Sequence, residues 1–110
     1  MAEKRILLIE SGQFIGGVIH SLFTHQDHLQ VFEAAPENNR ELLQAIHQHD
    51  PEIIVLDDTV RVSYLPLLLR YMQIKDNVRV VVVHTDDNQV HLYQKQEIQV
   101  RQPADFFAIL

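Results

Sequence analysis

The 110-residue chain has no cysteine. Disulfide frameworks, thiolate metal sites and cysteine nucleophiles are therefore excluded, and redox chemistry gives no reading of the compartment. Positive charge is also scarce. Nine Lys and Arg stand against fifteen Asp and Glu, giving a net charge of −6, a sign that repels phosphate backbones and anionic membranes. Neither nucleic acid nor a membrane is an expected partner. No apolar run approaches the length of a membrane span, and Met1-Ala2-Glu3-Lys4-Arg5 leads into a strand-like segment with no secretory apolar region or cleavage pattern. A cytoplasmic protein is expected. The apolar share is 46% against 22% charged, enough for a chain of this length to bury roughly two thirds of its surface around one core. The expectation is a single domain over residues 1–110, with no internal repeat, linker or low-complexity segment.

Hydrophobic periodicity then divides the chain. Ile6-Leu7-Leu8-Ile9 reads as a strand, and Ile15, Val18, Ile19 and Leu22 follow at helical spacing. Leu29 to Glu33 alternates as a second strand with one wetter face. Pro36 and Asn38-Asn39 open a helix carrying Leu42, Leu43 and Ile46 inward, which His49-Asp50-Pro51 terminates. Ile53-Ile54-Val55-Leu56 is apolar on both faces, as a central parallel strand must be, and ends at Asp57-Asp58. Leu65, Leu68, Leu69 and Met72 make the next helical stripe. Proline is tolerated in a first turn, so Pro66 places that helix's start near Ser63. Val78 to Val83 reads as a fourth, fully buried strand. Asp86-Asp87-Asn88 then caps a short helix through Lys95, Glu97 to Arg101 alternates as a fifth strand, and Ala104 to Leu110 makes about two helical turns. Five strands alternating with helices predict an α/β, flavodoxin-like, doubly wound parallel sheet in the order 2-1-3-4-5, with helices on both faces and a short last helix.

In such a sheet, ligands bind beyond the carboxyl ends of the strands. Glu10-Ser11, Asp57-Asp58, His84 to Asp87 and Gln102-Pro103 end there, which makes an acidic crevice whose oxygen ligands suit Mg²⁺. Solvated helix capping explains Asp58, Asp86 and Asp87 equally well. Asp57, ending a wholly apolar strand, must be hydrogen-bonded, metal-paired or reactive.

The segment Pro51-Glu52-Ile53-Ile54-Val55-Leu56-Asp57 resembles the Pro-Asp, apolar run, Asp element of response regulator receiver domains, and the expected order of elements is similar to that family along the whole chain. Arg5 to Ser11 is similar to the family's first strand and acidic pair, and Gln30 to Ala35 to its second strand. The resemblance implies that Asp57 takes a phosphoryl group from a histidine kinase or phosphotransfer protein, with Mg²⁺ held by Glu10, Asp57 and the backbone carbonyl of Thr59. It implies a non-enzymatic signalling role in which a hydroxyl after the fourth strand and a lysine after the fifth sense the phosphoryl group. Several positions depart from the family. Neutral Ser11 stands where a second acidic ligand is usual, and Glu10 is a methylene longer than aspartate, so metal affinity is weakened. The Ser/Thr switch position falls on His84, with Thr85 one residue on, and the lysine position falls on Gln102. A charge-assisted hydrogen bond is worth about 1.5–3 kcal/mol and a neutral one about 0.5–1.5, so Gln102 holds a phosphoryl oxygen less firmly. Two cases remain: a working phospho-acceptor, or a pseudo-receiver acting through protein contacts alone.

Other chemistry has weaker signals. Gly12-Gln13-Phe14-Ile15-Gly16-Gly17 suggests a small-molecule or nucleotide-binding domain on the same fold, but it fits neither established phosphate-loop pattern. His25, His28, His47 and His49 invite a transition metal, although helix-end placement accounts for them. Ser11 with His84 lacks a nucleophile elbow and an orienting acid. The tail Phe106-Phe107-Ala108-Ile109-Leu110 places four large apolar residues in five on a short helix. A homodimer through the face of strands four, five and the tail, or a downstream protein, could cover what it leaves exposed.

Overall fold

A computed structural model describes residues 4–10, 28–84, 89–95 and 99–110. Strands β1 (Lys4–Ile9), β2 (Leu29–Ala34), β3 (Ile53–Asp57), β4 (Arg79–Val83) and β5 (Val90–Gln94) form one sheet in the order β2-β1-β3-β4-β5. The helices are α1 (Asn39–His49), α2 (Asp58–Ile74) and α3 (Pro103–Phe107). The helix expected over Ile15 to Leu22 lies outside the described residues.

The first four strands are parallel, with Leu7 beside both Phe32 and Ile54 and Leu56 beside Val82. Strand β5 runs the other way. It pairs antiparallel to β4, with Val83 opposite Val90 and Val80 opposite Tyr93. The sheet is thus mixed, which corrects the flavodoxin-like, all-parallel expectation while keeping the order of neighbours. β4 ends at Val83 and β5 begins at Val90, and the His84 amide donates to the Gln89 carbonyl at 2.9 Å; so short a link suits antiparallel strands, whereas a parallel crossover needs a dozen or more residues. β5 stands where the helix through Lys95 is expected, and of the strand expected over 97–101, residues 99–101 carry no regular structure while 97 and 98 lie outside the described residues.

Alternation along each strand sorts the core into two faces. Leu7, Ile9, Ile54, Leu56, Val80 and Val82 meet Leu42 and Ile46 of α1 and Tyr64, Leu68 and Met72 of α2 on one side. Ile6, Leu8 and Val55 are buried on the other, with Val31, Val81 and Val83 half-buried beside them. Both long described helices therefore share one face. Strand β4 alternates as well, with Val80 and Val82 sealed and Val81 and Val83 less so, so it is not the fully buried strand its composition suggests.

Local chemistry sets the helix ends. Asn38 caps α1 by accepting from the Glu41 amide at 2.9 Å, and Asp50 closes it in the left-handed region at φ 45°, a conformation that Asp tolerates better than most residues. Helix α2 starts at Asp58, five residues earlier than the proline rule indicates, and carries Pro66 in its interior. Its buried stripe is Tyr64, Leu68 and Met72, while Leu69 is exposed. The Tyr64 hydroxyl donates to the Pro36 carbonyl at 2.8 Å, fixing α2 to the entry of α1. At the far end of β5, Lys95 Nζ bonds Asp76 Oδ1 at 2.5 Å. That bond and the ammonium's charge lower the Asp76 pKa below its ordinary value and fasten β5 to the turn after α2.

Candidate functional site

Asp57 ends β3 and is 4% exposed, the buried polar side chain of the described core. Its backbone is extended, at φ −92° and ψ 172°, as a residue before a helix requires. The carboxylate Oδ1 accepts the Thr59 amide at 2.9 Å and the Thr59 hydroxyl as well. Asp57 is therefore the N-cap of α2, and its charge faces the positive end of the helix macrodipole. Burial without such bonds would be costly, so the cap explains how a carboxylate is tolerated here.

The capping role sets an expected result. Asp57→Ala should lower stability by about 1–2 kcal/mol, as lost N-caps do, while Asp57→Asn should cost far less because Asn caps equally well. Urea unfolding of the two variants measures this. A stabilised Asp57→Ala would show instead that the carboxylate is held under strain.

Glu10 follows β1, half-buried, and its amide donates to the Ala34 carbonyl at 2.7 Å. The offset that pairs Leu8 with Val55, carried two residues further, sets Glu10 level with Asp57 on the neighbouring strand. Two of the expected acidic positions thus share one sheet edge. Thr59 meets Asp57 through its donors. It is the second residue of α2, so its carbonyl points along the helix axis away from Asp57, and its amide and hydroxyl already face the carboxylate as donors. A cation needs acceptors there. Among the described residues no three His, Asp or Glu side chains converge on a possible metal position. Ser11 and Thr85 lie outside the described residues.

The reversal of β5 bears directly on Gln102. A parallel fifth strand would deliver the following residues to the Asp57 edge. The antiparallel β5 ends instead at the opposite edge, where Lys95 meets Asp76. Gln102 is exposed and starts α3, its carbonyl accepting the Asp105 amide at 3.0 Å. Among the described residues α3 has no extensive packing against any strand or helix. Nothing described holds Gln102 at Asp57.

His84 has different neighbours from those expected of a switch residue. Its Nδ1 faces Asp58 Oδ2 at 3.6 Å, and its Nε2 lies 3.0 Å from His91 Nδ1. The two rings meet edge to face at 72°. His91 escaped notice because it stood in an expected helix. The alternation Val90-His91-Leu92-Tyr93-Gln94, with β-branched Val90 and aromatic Tyr93, is the signal that places it on a strand. Of the histidines weighed for a metal, His49 stacks on Phe32 at 4.3 Å, a packing role.

Two described cavities lie elsewhere. One of about 290 Å³ opens at the amino edge among Lys4, Glu52, Arg79 and Lys95. The other, about 450 Å³, lies between α2 and β5, beside Leu69, Met72 and Tyr93. No helix of the described residues is long and apolar enough to cross a membrane. The chain matches no family model, no curated protein and no solved structure.

Proposed function

We propose that this chain is a receiver-like signalling module that acts through protein contacts, as a pseudo-receiver, rather than by carrying a phosphoryl group. The observation that carries the reading is Asp57. It occupies the end of the central parallel strand, where a phospho-acceptor would stand, yet its Oδ1 is committed to Thr59 and the start of α2. Supporting it are the strand order β2-β1-β3-β4-β5, the level placement of Glu10, and the departure of the chain from β5 at the edge opposite Asp57. Mg²⁺ is not required in this reading.

The partner is a protein, and the surface offered to it is apolar. Val90 and Leu92 on β5 are 57% and 53% exposed, and Phe107, Ile109 and Leu110 beyond it are exposed too. A downstream signalling protein or a second copy would bury them; a histidine kinase or phosphotransfer protein would be a binding partner rather than a phosphoryl donor.

Intact-mass measurement after incubation with acetyl phosphate and Mg²⁺, alongside Asp57→Ala, tests the proposal. The expected result is no phosphoryl adduct on either protein in samples shown to be folded. An adduct on the unsubstituted chain that Asp57→Ala abolishes would overturn it and establish a working phospho-acceptor.

A further inference from the structure

The hairpin places two imidazoles where one ion can meet both. Val82 is opposite His91, and His84 lies two residues beyond Val82, so both rings stand on the face that carries α2. His84 Nε2 and His91 Nδ1 are 3.0 Å apart. A nitrogen pair this close shares one proton, one ring donating and the other presenting a lone pair. Asp58 Oδ2, at 3.6 Å from His84 Nδ1, favours a proton on Nδ1 and so turns the Nε2 lone pair toward His91. His91 presents its Nδ1 lone pair when its own proton sits on Nε2.

From this geometry we propose that His84 and His91 form a two-nitrogen site for a divalent transition-metal ion of the Zn²⁺ class, with Asp58 as the positioning residue. The ion takes the place of the shared proton. Zinc–imidazole bonds of about 2.0–2.1 Å at a tetrahedral angle separate the nitrogens by about 3.3 Å, so the nitrogens need to part by a few tenths of an ångström and the rings, with centroids now 4.4 Å apart, to turn until both lone pairs meet the ion. A carboxylate on the far nitrogen of a metal-bound imidazole fixes its tautomer and orientation, the part Asp58 plays toward His84. Imidazole donors select Zn²⁺, Co²⁺, Ni²⁺ or Cu²⁺ over Mg²⁺, and the chain's net charge of −6 favours any cation. With two protein ligands the remaining positions belong to water, so the ion is exchangeable and open to a further donor. The site lies one residue from Asp57 but does not depend on phosphoryl chemistry there.

The test is a Zn²⁺ titration of the full chain, followed by histidine ring resonances and by calorimetry. The His84 and His91 ring signals should move together and saturate near one equivalent, with Mg²⁺ leaving them unmoved. His91→Ala should weaken Zn²⁺ binding by about tenfold or more, as should Asp58→Asn, and Asp58→Glu should restore part of the loss. The ring-nitrogen spectrum should report the Nδ1–H form of His84 in the unsubstituted chain and a mixture of forms in Asp58→Asn, which a merely structural role would not change. The His47→Ala, His49→Ala double variant should bind as the parent does. His91 is exposed, so its variant should unfold at the parent's midpoint. Binding unchanged by His91→Ala, or ring signals of His84 and His91 that ignore Zn²⁺, would overturn the proposal.

Discussion

Replacing Leu68 with Ala should lower the unfolding free energy by about 2–5 kcal/mol, the range for emptying a sealed leucine site, whereas Leu69→Ala should cost under about 1 kcal/mol. Leu68 is 0% exposed and Leu69 37%, although the two are adjacent and chemically identical. Leu68 lies in the cluster with Leu56, Tyr64, Met72, Val80 and Val82, so its removal opens a void where α2 crosses the centre of the sheet. A domain of this size holds about 5–15 kcal/mol in total, which makes the expected loss a large fraction of it. Urea unfolding of both variants measures the contrast. Equal losses would mean that α2 is rotated about its axis relative to the arrangement described.

Pro66→Ala should stabilise the protein, by about 2 kcal/mol. Within a helix, proline removes the bond to the carbonyl four residues back and crowds it, at about 3 kcal/mol relative to Ala. Part of that returns through the unfolded chain, which Pro restricts by about 0.4–1 kcal/mol. Pro66 is exposed on α2, so Ala leaves no cavity. The sign is the decisive reading. A helix that began near Ser63 would hold Pro66 in its first turn, where the substitution would bring no gain.

These two residues show where local rules lose to tertiary context. Pro66 marks a helix start by propensity alone, yet α2 runs from Asp58, where the Asp57 carboxylate caps it. The apolar runs at Ile6 to Ile9 and Ile53 to Leu56 were legible as strands, since only a doubly covered sheet interior accepts both faces. Asn38 and Asp50 likewise declared the ends of α1. The direction of β5 was not legible. Asp86-Asp87-Asn88 is as good a helix cap as a turn, and strand direction depends on the length of a connection rather than on the residues of the strand. That reversal is also what sets His91 beside His84. Asp57, at the end of an apolar strand, is legible as a buried carboxylate, but the two donors that Thr59 offers it are not, because a cap depends on where the helix starts.

The turned-back strand also changes how the molecule can assemble itself. Leu7 must find Ile54, and Val80 must find Ile54 from the other side, across intervening helices whose loop-closure entropy has to be met before any contact forms. Val81 and Leu92 lie on neighbouring strands with a short connection, and such a pair can zip together on the microsecond scale of an isolated hairpin. The chain therefore combines a slow, topologically demanding centre with a fast, self-contained margin. The margin can come and go in cooperative openings that leave the centre intact, and those openings would take the exposed Val90 and Leu92 and the His84–His91 pair with them.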